Sequence, residues 1–175
     1  VNDGEIDRLY EFAKQHGVGE LRIIPYVATG GGVGDTEEML GLQEYEYLTS
    51  FHKTMNKNKD GPVVESFSYI ESSELYGCGA GYHHFFVDAA GYVCPCDLTP
   101  LSFGNVTNDS LETIWNRMSE FFPKPRSYCL MKKIAPKLKD RSRLPIPFDE
   151  SKKLIPPVRR DESLPKMYTF LKKNE

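Results

Sequence analysis

Apolar residues recur at helical spacing near the start of the chain. Ile6, Leu9, Tyr10 and Ala13 share one face, and Asn2 with Glu5 resembles a capping box, so a helix is predicted from Asn2 to Gly17. Gly17 and Gly19 stop that pattern, and Leu21 to Tyr26 reads as a short, largely apolar strand. A helix feeding a buried strand is the α-to-β half of a βαβ repeat, and here it is expected to stand alone. The next stretch, Ala28 to Gly34, is a glycine-rich loop at the strand's C-terminal end. Loops in that position line the active sites of α/β folds, although a plain linker fits the composition as well. Its glycines do not form G-x-G-x-x-G opening a helix, so they carry no dinucleotide or phosphate claim. A second helix is predicted from about Leu42 to Asn56, with Tyr45, Leu48, Phe51, His52 and Met55 along one side.

Beyond the Asn58 to Pro62 break, the pattern changes character. Val63 to Ile70 reads as a strand. Tyr82 to Val87 and Tyr92 to Cys96 then flank Asp88-Ala89-Ala90-Gly91, a hairpin turn with glycine where positive φ is favoured. A helix follows, with Asp109 as cap, Glu112 three residues on, and Leu111, Ile114, Trp115, Met118 and Phe122 on one face. Pro123 and Pro125 close it. From Lys124 onward the chain is punctuated by prolines and opens with a basic run, Lys132, Lys133, Lys137, Lys139, Arg141 and Arg143. No aromatic residues are interleaved with these charges, so the run reads as a solvated, loosely ordered extension rather than a nucleic-acid patch.

Composition narrows the choice of class. The chain has 175 residues, 39% of them hydrophobic, 12 prolines and a net charge of -3, and its mean hydropathy is -0.47. That supports one modest core with a large irregular share, and favours neither a nucleic-acid nor a membrane partner. No segment has the apolar length of a membrane span, and the first twenty or so residues lack a signal-peptide profile, so a cytoplasmic location is expected. Val1 stands where an initiator methionine would, and the helix begins at once, which points to a piece of a longer protein.

The four cysteines carry the candidate chemistry. Cys78 follows a strand inside Tyr76-Gly77-Cys78-Gly79-Ala80-Gly81; Cys94 and Cys96 form a C-P-C tripeptide at the end of the hairpin; Cys129 follows the Trp115 helix. A hairpin beginning soon after Cys78 and ending at Cys96 returns the chain towards its start, so the two thiols can meet. Glycines around Cys78 would let backbone approach a bulky cluster. Thiolate sets of this kind hold iron–sulfur clusters or structural zinc, whereas small buried cysteines with no ligand role are the plain alternative. The spacing lacks paired C-x-x-C knuckles, which puts zinc second. His83 and His84 fall in the strand pattern, are expected on opposite faces, and read as structural.

Cys78, followed by Gly91-Tyr92-Val93-Cys94-Pro95-Cys96, resembles the C-(about a dozen)-G-x-x-x-x-C opening of SPASM and twitch domains, the auxiliary-cluster extensions of many radical S-adenosylmethionine (SAM) enzymes. Phe86 to Val93 looks like that family's hairpin, and Gly104-Asn105-Val106 with Ser110 to Trp115 looks like its "GN…sl.eiW" segment. Upstream, the Asn2 helix, the Arg22 to Pro25 strand and the Gly30 to Gly32 loop resemble the last helix–strand units of a partial radical SAM barrel and its linker. The resemblance implies an α+β chain: the C-terminal end of a barrel with its linker (1–60), an auxiliary cluster domain of β-hairpin plus helix (61–130), and a proline-rich, partly irregular extension (131–175).

It also transfers ligand roles for an auxiliary [4Fe–4S] cluster to Cys78, Cys96 and Cys129. Cys94 lies outside the family's fixed cysteine positions and is either a fourth ligand or a spectator thiol. The family's dense later cysteine run is missing after Cys129, so one cluster is the most the chain would hold. The C-x-x-x-C-x-x-C motif that binds a SAM-cleaving cluster is absent as well, so this chain is expected to be inactive alone. SAM and a second [4Fe–4S] cluster would belong to the parent oxidoreductase or maturase. The implied partners are the upstream barrel of the same parent chain and a peptide or small-molecule substrate, which this region would position while relaying electrons. A non-catalytic zinc- or cluster-binding interaction module is the competing reading.

Overall fold

The computed structural model describes residues 4–139, 143–158 and 162–172. Its described elements mix helix and strand, as an α+β chain should. The chain gathers into two units, one comprising the residues up to Tyr26 with Met39–Ile70, the other Val27–Glu38 with the residues from Glu71 onward.

The first unit begins with helix α1, Glu5–Gln15, whose N-cap is Gly4. The expected cap, Asn2, lies outside the described residues. Strand β1, Glu20–Ile23, follows. Helix α2, Leu42–Met55, and strand β2, Val63–Ser66, come next, and one turn of helix, α3 (Phe67–Ile70), replaces the second half of the strand expected over 63–70. Strands β1 and β2 pair in parallel, Glu20 opposite Val63 and Ile23 opposite Ser66. The helix–strand unit expected to stand alone therefore has a second copy. Sequence had assigned the second strand to the cysteine-bearing section because turn signals at 58–62 look like a boundary; its partner is upstream.

Side chains from α2 and its C-cap, Asn56, complete the sheet. The Asn56 amide donates to the Val64 carbonyl (2.7 Å) and accepts from the Val64 N–H (2.9 Å), and His52 Nδ1 accepts from the Ser66 N–H (3.2 Å). These bonds serve backbone groups that two strands alone would leave unpaired. Burial pushes the His52 imidazole below its usual pKa, against the pull of Glu65, which suits a neutral ring acting as acceptor. Tyr10, Phe51 and Val64 form the core, with the Tyr10 and Phe51 rings edge to face at 5.9 Å.

The second unit has little regular structure around its sheet. Strands β3, Phe86–Val87, and β4, Val93–Cys94, form the predicted hairpin in shortened form, Phe86 opposite Cys94 and Val87 opposite Val93. Asp88 makes the turn, its Oδ1 accepting from the Ala90 and Tyr92 N–H groups at 2.9 and 2.8 Å, and Gly91 supplies φ 85°. The far edge of β4 is occupied too: Val93 donates to the Gly104 carbonyl and accepts from the Phe103 N–H. Helix α4, Leu111–Ser119, starts one residue later than expected, because the Ser110 hydroxyl accepts from the Thr113 N–H; Asp109 pairs with Arg117 at 3.2 Å instead. Ile114, Met118 and Phe122 are buried as predicted.

The segment beyond Lys124 departs most from expectation. It forms α5 (Leu130–Ile134), a 3₁₀ turn over Ala135–Leu138, α6 (Phe148–Leu154) and α7 (Lys166–Lys172). Leu130, Met131, Ile134, Ala135 and Leu138 are all fully buried. Their helical spacing was hidden among the lysines, which the same turns carry on the outside. Lys132, Lys133 and Lys137 of the basic run thus lie on the outer side of buried helical turns, Lys139 and Arg143 follow them, and Arg141 lies outside the described residues.

Candidate metal centre

Cys78, Cys96 and Cys129 reach one site from three chain segments. The segment before Cys129 is tied to Cys78 by a reciprocal backbone pair, Cys78 N–H to the Arg126 carbonyl (2.8 Å) and Arg126 N–H to the Cys78 carbonyl (2.9 Å). Gly77, at φ 62°, lies so close to the Arg126 carbonyl and Pro165 that any side chain there would collide with them. The C-P-C segment is fixed by the Gly81 N–H donating to the Pro95 carbonyl at 3.0 Å. These backbone contacts bring the three cysteine-bearing segments beside one another.

The thiols sense one another's charge in a closed ring. Burial pushes Cys78 up, opposed by the N–H groups of Leu130 and Ala80 and reinforced by Cys96 and Glu71. Cys96 is raised first by burial; the Thr99 hydroxyl, 3.1 Å from its sulfur, and the Leu98 N–H oppose this, while Cys129 adds to it. Burial, then Glu71, then Cys78 bring Cys129 to about 11, against the Lys132 N–H and the Lys132 charge. All three sulfurs therefore meet backbone N–H donors, the environment in which a thiolate is stabilised once a cation lies beside it. Without a cation, all three are held protonated by burial.

Cys94 differs. It is buried in β4, and burial with Asp88 and Cys96 drives its thiol to about 12. It feels Cys96 but neither Cys78 nor Cys129. Cys94 and Cys96 instead line a pocket of about 240 Å³ with Thr29, Phe86, Asp88 and Asp97.

The donor set suits a cluster better than a lone ion. Tetrahedral zinc at 2.3 Å from each sulfur requires sulfurs about 3.8 Å apart. Among the described residues no three Cys, His, Asp or Glu side chains are gathered for a single ion. A cubane holds its thiolates further apart, and backbone N–H groups at each of the three sulfurs are donors of the kind such a cluster accepts.

Other residues at the site escaped the sequence reading. Arg126 is almost fully buried, donating to the Tyr128 hydroxyl (3.2 Å) and the Pro156 carbonyl (2.9 Å) beneath the Cys78 backbone pair. Glu71 pairs with Lys132 at 2.9 Å. The segment leading into α7 runs along the cysteine loop, with Lys166 and Met167 donating to the Ser73 and Leu75 carbonyls, and the Tyr168 hydroxyl meets His83 Nδ1 at 2.6 Å. No motif marks these positions. His83 lies in a turn closed by its N–H to the Gly79 carbonyl, not in a strand, so the opposite-face expectation fails and the His83 and His84 rings touch at 4.9 Å.

Residues 78–132 match the family model of SPASM, an iron–sulfur cluster-binding domain, which bears out the SPASM/twitch-type resemblance over that segment. No curated protein and no solved structure matches the chain. Among the described residues no helix is long and apolar enough to cross a membrane.

Proposed function

We propose that the chain holds one auxiliary [4Fe–4S] cluster of a radical SAM oxidoreductase or maturase, bound through Cys78, Cys96 and Cys129. The observation that carries this reading is the SPASM match over residues 78–132, the segment that holds all four cysteines. The backbone pair joining Cys78 to the Arg126 segment, and the influence of each of the three thiols on another, support it. Bound there, such a cluster supplies one-electron chemistry. The protein's part is to place the thiols, bring N–H groups to the sulfurs and cover the cysteine loop with α7.

The pocket beside Cys96 is the natural seat for a substrate group. Asp88 and Asp97 give it an acidic wall, and Phe86 an apolar one. The parallel β1/β2 pair, each strand preceded by a helix, fits the closing units of a barrel whose remainder would carry SAM and its own cluster. The upstream barrel and a peptide or small-molecule substrate are then the partners, and the setting is cytoplasmic.

Anaerobic reconstitution with iron and sulfide tests the reading. The intact chain should take up about four irons and four sulfides, with charge-transfer absorbance that is lost in Cys78→Ser, Cys96→Ser and Cys129→Ser. Stoichiometric zinc without labile sulfide would replace it with the zinc-module reading.

A further inference from the structure

We propose that the cavity between α7 and the Pro123–Pro125 segment is a binding site for a small carboxylate with an aromatic body. The site is separate from the cysteines, and the inference does not rest on the cluster reading above.

Size limits the occupant first. The cavity holds about 280 Å³, near the lower end of the range for small-molecule sites, about 300–1,000 Å³. One ring with a short arm suits that space, and an extended stretch of peptide does not. The walls are apolar: Tyr82 and Tyr168, the prolines Pro123 and Pro125, and Leu164 with Leu171. The two tyrosine rings meet at 75° with centroids 5.9 Å apart. That corner offers a third ring both a face and an edge, the arrangements aromatic pairs prefer.

The corner is held in place by contacts of its own. The Tyr168 hydroxyl is bonded to His83 Nδ1 at 2.6 Å, and the His83 ring lies so close to Gly79 that a side chain there would overlap it. The chain entering α7 is fixed by the Lys166 and Met167 N–H groups, which donate to the Ser73 and Leu75 carbonyls at 3.0 and 3.1 Å. Proline restricts the opposite wall. A preformed site loses little freedom when it is filled.

The charges at the cavity have one sign. Lys124 and Lys172 line it, and among the described residues no aspartate or glutamate does. Lys124 Nζ donates to the backbone carbonyl of Glu162 at 2.8 Å, whereas the Glu162 carboxylate accepts from the Ser127 hydroxyl at 3.1 Å. Among the described residues Lys172 makes no ion pair. A carboxylate seated against either ammonium gains a charge-assisted hydrogen bond, which a neutral amide gains only weakly and an amine not at all. Such a group arrives as a free aromatic acid or as the C-terminal residue of a peptide, and both present the same chemistry to the cavity.

The test titrates the isotope-labelled full chain with phenylacetate, phenylacetamide and phenethylamine, following backbone amides by nuclear magnetic resonance. Phenylacetate should shift Tyr82, Lys124, Tyr168 and Lys172 saturably, and the amide and the amine should each bind at least about tenfold more weakly. Lys172→Glu, at an exposed position, should leave the rest of the spectrum in place and weaken phenylacetate about tenfold or more, while Lys172→Arg retains it. N-acetylphenylalanine binding more tightly than phenylacetate would assign a peptide terminus; the reverse order would assign a free acid. The proposal is overturned if phenylacetate gives no saturable shift, if phenylacetamide binds as well, if the shifts fall away from the cavity, or if Lys172→Glu binds like wild type.

Discussion

The unit around Tyr10, Phe51 and Val64 closes on itself through apolar packing and a parallel strand pair whose open edge is filled by Asn56 and His52. The unit around β4 has two-residue strands, and its cysteine segments are joined by single bridges such as Cys78 with Arg126. Both have buried apolar residues, but only the second also has buried cysteines, Cys94 and Cys129, and a buried arginine, Arg126. The difference is one of what completes the fold. The first unit closes the edge of its sheet with its own side chains, whereas the second ties its cysteine segments together by isolated bridges.

Truncating the first core gives the largest expected effect. Phe51→Ala removes the ring packed edge to face on Tyr10 and should cost about 3–5 kcal/mol, read as early melting of α1 and α2 by hydrogen exchange. Iron uptake by the cysteine unit should survive; an equal loss of iron would erase the distinction between the units. Next in size is cluster loading. Amides of 78–81, 93–96 and 126–132 should exchange about 100-fold more slowly when iron and sulfide are bound, corresponding to about 2.7 kcal/mol, while those of α2 hold steady. Uniform slowing across both units would break the comparison.

The smallest effect is a pH dependence in the first unit. His52 has a folded pKa below its unfolded value of about 6.5, so the unfolded state takes up protons first as pH falls. Stability is fully present above about pH 6.5 and declines below it towards the lowered folded pKa. A His52→Asn variant should flatten that decline in thermal melts. An unchanged profile would mean that the ring's bond to Ser66 contributes nothing to the pH response.

Much of this was legible in the chain, for identifiable reasons. The Leu42 helix declares itself by periodicity, and the Asp88–Gly91 turn by its chemistry. The cysteine spacing with Gly91 and the "GN" and Trp115 segments identified the cluster-binding region. What escaped depends on distant partners. Val63–Ser66 looks like the start of a new section until its pairing with β1 is seen. The Leu130–Leu138 stripe is interleaved with lysines that dominate the eye. Glu71 and Arg126 have no local signature, because their roles come from what lies across from them: Lys132 for one, Tyr128 and Pro156 for the other.

The exchange of backbone bonds between Cys78 and Arg126 has a consequence for synthesis. The first cysteine leaves the ribosome well ahead of the strand-like segment that fixes it, and the loop between them must close before the thiols are brought together. On the proposed ligand set, a cluster can be held only after Arg126 and Cys129 have been made, because the nascent chain up to about residue 125 carries its first three cysteines without the segment that pairs with Cys78. Stalled chains released at residue 125 should bind no iron under conditions that load the full chain.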